Sequence, residues 1–332
     1  MELTIRKPDD FHVHLRDGEM LATVLPYTAK QFARALIMPN LKPEAIRTAQ
    51  DLISYRARIL AQGTDLTPLM TIKITDETTP DSVSESFQDG AIAGKVYPTG
   101  STTNAEDGVS DFGKLRPVFE EMEALGMVLC LHGEIPDVFC FYRETTFLSV
   151  LYWLTEQFPE LKIVVEHITG EEIGTEIEKL PSTVAATITA HHLVLTLDHV
   201  LGGKFKPHNF CKPIPKRPQD LMWLMQAATS GNPKFFFGSD SAPHPREKKE
   251  CAEGEAGVFT APVVLAILAQ QFEAFYRLER LENFVSRFGA QFYGLPLNNG
   301  TLTLVKEPWQ VPEEIGGVVP LKAGEMLEWQ VK

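Results

Sequence analysis

The chain has 332 residues, 44% of them hydrophobic and 23% charged, and carries a formal net charge of −13. That composition suits a soluble protein with a large core, and the acidic balance argues against nucleic acid or an acidic membrane surface as a partner. No apolar run approaches the ~20 residues of a membrane helix, no basic and apolar leader opens the chain, and the four cysteines (Cys130, Cys140, Cys211, Cys251) form no CxxC pair, so a cytoplasmic protein is expected.

Short apolar runs alternate with longer segments of helical spacing. In chain order, strands are predicted at 10–15, 33–38, 66–74, 91–97, 127–132, 162–167, 184–189 and 234–238. Helices are predicted between and after them, at 21–32, 43–62, 82–89, 112–125, 141–158, 171–180, 218–229 and 262–278. Several strands are continuous and β-branched, such as Lys162-Ile163-Val164-Val165-Glu166, which suits strands buried on both faces of a parallel sheet. Eight strand–helix units in series predict an α/β fold, a (β/α)8 TIM-type barrel formed by one domain over 1–332. A tail from about 294 reads as loops and short strands packed on it. The long segments 190–217 and 241–258 follow strands and are therefore placed at the C-terminal face, where barrel loops carry function.

Polar residues recur at the ends of these strands. His12-Val13-His14 closes the first strand, and residues two apart in an extended segment point the same way, so two imidazoles can chelate one divalent ion. A pair of hydrogen-bonded histidines is the alternative for that motif alone. Lys95 lies late in the fourth strand, His132 ends the fifth, His167 the sixth, and Asp240 follows the eighth. Any one of them is explained as a polar strand exit. Together they place many polar groups in one mouth, which is costly without a shared partner, and a metal centre supplies one. Burial favours the neutral amine of a lysine, which can take up carbon dioxide as a carbamate and bridge two ions ~3.5–4 Å apart. A snorkelling or ion-paired Lys95 is the other reading.

These pieces, with Met38-Pro39-Asn40, Gly94-Lys95-Val96-Tyr97-Pro98, Leu131-His132-Gly133-Glu134, Glu166-His167-Ile168, Lys206-Pro207-His208 and Asp240-Ser241-Ala242-Pro243-His244, occur in order along the chain. In them the chain resembles the short bacterial-type dihydroorotases of the amidohydrolase superfamily. The resemblance implies His12, His14 and Asp240 on one Zn2+, His132 and His167 on a second, and N6-carboxylated Lys95 bridging the two. It implies that Arg16, Asn40 and His244 hold a substrate carboxylate, that backbone groups near Lys212 and Ala256 read the ring amides, and that Thr102 and Thr103 close over the substrate.

The implied reaction is reversible hydrolysis of L-dihydroorotate to N-carbamoyl-L-aspartate by a metal-activated hydroxide. Asp240 would serve as general base and then acid, in a homodimer acting on a small molecule. The residues agree where they can be checked: Arg suits a carboxylate, and Arg16 follows His14 by two. Taken alone, Asn40 reads equally as a turn or helix-cap residue, and Gly100–Asn104 as a surface turn. Lys212 stands where relatives commonly carry an apolar residue. His191 and His192, at the seventh strand end, are expected to be structural or supporting, and His199 and His208 to be loop hydrogen-bonders. Rival readings are a hydantoinase- or allantoinase-like enzyme, which shares the metal ligands, and an inactive scaffold barrel.

Overall fold

A computed structural model describes all 332 residues. After β1 (Glu2–Arg6) come eight strands: β2 (Asp9–Val13), β3 (Arg34–Ile37), β4 (Thr67–Ile74), β5 (Ala91–Val96), β6 (Val128–His132), β7 (Ile163–Glu166), β8 (Val184–Ile188) and β9 (Phe235–Phe237). They pair in parallel in sequence order from β2 to β9, with helices between, as the alternation predicts. The sheet closes on itself through Asp240 N–H donating to His12 O (2.8 Å) and His14 N–H donating to Ser241 O (3.0 Å). The result is a TIM-type barrel.

Its interior is a small buried cluster that includes Phe11, Leu36, Ala93, Cys130, Val164 and Phe236. The far larger cluster of 69 residues fills the shell between strands and helices. A segment around Ala290 plugs the N-terminal mouth, where Tyr293 stacks on Phe11 with ring centroids 4.8 Å apart. The opposite mouth, at the C-terminal ends of the strands, is left for polar residues.

The structure departs from the sequence reading in several places, of which three bear on the site or the tail. The first barrel strand ends at Val13, with a register shift after Asp10, so His14 and Arg16 lie beyond it. The helix expected over 43–62 starts only at Ala49, because Thr48 and Asp51 form a capping box that fixes its first turn. The tail is more regular than expected. β10 (Thr301–Gln310) and β11 (Met326–Val331) pair antiparallel with each other and β10 with β1, making a three-stranded sheet. Its wholly buried Trp329 donates from Nε1 to Glu273 Oε2 (3.0 Å), which tethers the sheet to the helix Val264–Ala274.

Candidate metal centre and substrate pocket

Strand alternation explains most of the centre. Ala93 and Cys130 face the barrel interior, so Lys95 and His132, two residues on, face it one layer higher. Leu36 leads through Met38 to Asn40 by the same rule. Val164 makes Glu166 the inward residue of β7; His167 then turns inward because the strand has ended and its φ is +45°. Asp240 (φ +42°) and Arg16 (φ +60°) are also in the left-handed region, which non-glycine residues seldom occupy, although Tyr276 and Lys322 adopt it away from the site. The His167 turn is held by its N–H donating to Thr187 Oγ1 (2.7 Å).

His12 Nε2, His14 Nε2 and Asp240 Oδ1 form a triangle with all three sides 3.2 Å. Zinc–ligand bonds of about 2.0–2.2 Å at tetrahedral angles place neighbouring donors roughly 3.3 Å apart, so the triangle fits one ion. The His167 ring lies 5.1 Å from that of His12 and 4.8 Å from that of His132, centroid to centroid. Glu134 Oε2 is 2.7 Å from His132 Nε2; by accepting that proton it leaves Nδ1 as the free lone pair. Lys95, wholly buried, contacts Glu166 Oε2. Among the buried polar atoms here, His12 Nδ1 and Lys95 Nζ are paired only with the two Glu166 oxygens, and His167 Nδ1 has no partner. An unpartnered imidazole is expensive in a dry interior, and a cation bound among these rings would relieve that cost. The donor set of imidazoles and carboxylate suits zinc.

Burial dominates the electrostatics. It pulls Lys95 down to about 7 and His14 to about 4, and lowers His12, His132 and His167 as well, leaving neutral imidazoles with lone pairs to offer. Asp240 is held well below the usual carboxylate range: burial raises it, but His12, His14 and His167 around it outweigh that.

One pocket above these groups is lined by His12, His14, Arg16, Asn40, Thr102, Thr103, His132, His167, Lys212, Asp240, His244 and Ala256, together with Tyr97, Ala242 and Gly257. Every residue given a metal, catalytic or substrate role in the sequence reading therefore meets at one mouth, with Lys95 beneath it. Arg16 donates from Nε to Pro243 O (2.9 Å), and its Nη2 lies 2.9 Å from His244 Nε2. His244 Nε2 is also 3.0 Å from Ala256 O. The loop with both threonines is tied down by Asn104: its Nδ2 donates to Asn40 O (3.1 Å) and its carbonyl accepts from Lys73 Nζ (2.9 Å).

Outside the pocket, the His192 ring spans Thr189 Oγ1 (2.9 Å) and Pro213 O (3.1 Å). His199 Nδ1 accepts from Thr196 N–H (3.0 Å), and His208 Nε2 lies 2.8 Å from Glu250 Oε1. His191 is wholly buried with neither ring nitrogen partnered.

Four residues of the centre carry no assigned role in the sequence reading. Glu166 Oε1 sits 3.1 Å from His12 Nδ1, where it can hold the ring with Nε2 toward His14 and Asp240. Glu134 does the corresponding work on His132, and Tyr97 lines the pocket with an unpartnered hydroxyl. Asp10 Oδ1 accepts from Ser239 N–H (2.8 Å) and His12 N–H (3.1 Å), bracing the barrel seam from below. The signal for Glu166 was available: counting by two from an inward Val164 reaches it before His167.

Carboxylates that orient metal-ligating histidines are worth about 10–100-fold in affinity. Glu166→Ala should lower metal affinity by that factor in a chelator-competition titration, whereas unchanged affinity would remove Glu166 from the centre. Acid should destabilise the metal-free protein. His14 and His192 are pushed down to about 4 by burial, while an unfolded histidine titrates near 6.5. Between those values the unfolded chain binds protons that the folded chain refuses, so stability is complete above about 6.5 and is lost as pH falls toward 4. Each of the two contributes roughly 2 kcal/mol of loss by pH 5. Urea unfolding of the stripped protein at pH 7.5 and 5 measures it, and equal midpoints would contradict it.

No family model matches the chain. A dihydroorotase of Teredinibacter turnerae is 47% identical over 340 residues, covering 99% of this chain and 98% of the relative. The solved dihydroorotase of Saccharomyces cerevisiae in complex with 5-fluoroorotic acid superposes with a TM-score of 0.94 at 38% identity, covering 100% of this chain and 98% of that one. That of Campylobacter jejuni gives 0.90 at 42%, covering 99% and 97%. With relatives this similar over their full length, the chain belongs to the dihydroorotase family.

Proposed function

We propose that this chain catalyses the reversible hydrolysis of L-dihydroorotate to N-carbamoyl-L-aspartate, the ring-forming step of pyrimidine biosynthesis run in either direction. The observation that carries this reading is the adjacency, in one pocket, of a metal-ligand triangle and a cationic wall. His12, His14 and Asp240 stand beside Arg16, His244 and Asn40. A metal centre alone would serve any cyclic amide; a guanidinium beside it selects one that bears a carboxylate. The S. cerevisiae relative, solved with the ring carboxylate 5-fluoroorotic acid, agrees with that selection.

In this reading His12, His14 and Asp240 would hold one Zn2+, and His132 and His167 a second, with a carboxylated Lys95 as a further ligand. Lys95 is suited to that modification because burial favours its neutral amine, against the Glu166 carboxylate in contact with it, which favours the ammonium. When bound, the metal supplies Lewis acidity and lowers the pKa of water. The chain's own residues do the rest. Arg16 and the Asn40 amide bind the substrate carboxylate, and His244, kept neutral by burial and by Arg16, completes that wall. Backbone groups near Lys212 and Ala256 take the ring amides. Asp240, ionised and beside the attacked carbonyl, accepts a proton from water as its oxygen bonds to the carbonyl carbon. The C–N bond breaks and Asp240 returns that proton to the departing nitrogen, so one water is added overall. Thr102 and Thr103 close the pocket from the loop side. A homodimer in the cytoplasm belongs to the same proposal, and no helix of the chain is long and apolar enough to cross a membrane.

The wild type should turn over dihydroorotate and leave hydantoin untouched. Lys95→Ala should lose metal and about a thousandfold in kcat, the size expected for removing a principal electrostatic catalyst. Arg16→Met should raise KM for dihydroorotate by tenfold or more, as loss of a charge-assisted contact implies. Full activity in Lys95→Ala would overturn the bridged centre, and a preference for hydantoin would overturn the carboxylate reading.

A further inference from the structure

Lys249, the last residue of the short helix Arg246–Lys249, is 3% exposed yet has no carboxylate partner. Its ammonium donates instead to two main-chain carbonyls, Phe210 O at 2.9 Å and Gly257 O at 2.5 Å. The same two segments are already joined by Gly257 N–H donating to Phe210 O (2.9 Å). Lys249 Nζ therefore closes a three-point clasp between the stretch leading into Cys211-Lys212 and the stretch Ala256-Gly257. Both stretches line the substrate pocket.

The clasp is tight on the pocket side. A Cβ at Gly257, whose φ is +148°, would stand 2.4 Å from Ala242 O and 2.9 Å from the His244 ring, so only glycine lets this segment lie so close to His244. Ala256 O in turn meets His244 Nε2 at 3.0 Å. Moving Gly257 would therefore move the wall that faces the substrate. A buried ammonium is costly to keep, and burial lowers Lys249 to about 8; a hydrocarbon side chain would serve packing without that cost. What a hydrocarbon cannot do is hold two carbonyls at a set spacing and leave a fixed positive charge behind His244.

We propose that Lys249 is a positioning residue for the reaction: it sets the separation of the Lys212 and Ala256 backbone stretches that grip the substrate ring, without touching the substrate itself. This role presupposes the dihydroorotase reading, since it is those two stretches that take the ring amides there. Lys249 acts on binding of the ring, not on the metals or on Asp240, and so its removal separates KM from kcat.

The test uses the zinc-loaded, full-length wild type and Lys249→Met. Wild-type turnover of dihydroorotate checks the underlying reading by itself; its absence sinks that reading whatever the variant does. Given turnover, Lys249→Met should raise KM by about tenfold, equivalent to about 1.4 kcal/mol. Its kcat should stay within about threefold and its zinc content should match wild type, as a residue remote from the reacting atoms requires. Lys249→Arg, which keeps the charge and the donors, should recover part of the lost affinity. An unchanged KM in folded, zinc-loaded Lys249→Met overturns the proposal, and so does a parallel fall of kcat and zinc content. Should that variant fail to fold, Lys249→Leu, which likewise removes both donors and the charge, is read in the same way. Failure of both to fold would make Lys249 a structural residue only, and also overturns it.

Discussion

Two backbone hydrogen bonds at the seam of the barrel hold more of this site together than any side chain does. Asp240 N–H to His12 O and His14 N–H to Ser241 O join the first barrel strand to the last. They complete the parallel sheet, and they set residues from opposite ends of the sequence side by side as a triangle of ligand atoms. Asp10 and Ser239 brace the same seam: the Asp10 carboxylate takes the Ser239 and His12 amides, and Ser239 Oγ donates to His12 O (3.0 Å). Closing the fold and assembling the candidate centre are thus one event. A barrel that opened at this seam would lose its ligand set and its sheet together.

Above the seam the interior changes character. Phe11, Ala93, Cys130 and Val164 form an apolar layer, and one pleat higher their strands present Lys95, His132 and Glu166. Burying such groups weakens the fold unless each finds a partner; Lys95 pairs with Glu166 and His132 with Glu134, while His167 Nδ1 and the Tyr97 hydroxyl have none. The cost falls on stability in the metal-free state, most of all in acid, where the buried imidazoles would have to accept protons. A bound metal would offset that cost, because the imidazoles that resist protonation in the metal-free protein would be its ligands. On the pocket wall, Arg16 Nη2 and Ala256 O both lie against His244 Nε2, which in the neutral ring either accepts from the first or donates to the second.

Much of this was legible in the sequence because parallel barrel strands are buried on both faces and read as continuous apolar, β-branched runs. The polar residues that end such runs then mark the catalytic mouth, and His12, His14, Lys95, His132, His167 and Asp240 were found that way. What stayed hidden has physical causes. Glu2–Arg6 and Thr301–Gln310 alternate as half-buried strands do, but their partners lie at opposite ends of the chain, and nothing local declares the pairing. Glu166 is masked by its neighbour: two-residue counting favours the glutamate as the inward residue, and only a left-handed turn brings His167 in as well. Lys249 could not be read at all: its partners are carbonyls on loops, and a carbonyl has no sequence signature.

The central claim is that the strand ends of this barrel gather two metal ions around Lys95. The most direct measurement is X-ray diffraction from zinc-loaded crystals, with anomalous difference maps collected above and below the zinc edge. The account predicts two peaks about 3.5–4 Å apart, one within bonding distance of His12, His14 and Asp240, the other of His132 and His167, with continuous density beyond Lys95 Nζ reaching both. A single peak away from these residues, or two peaks with an unmodified Lys95 between them, would contradict it.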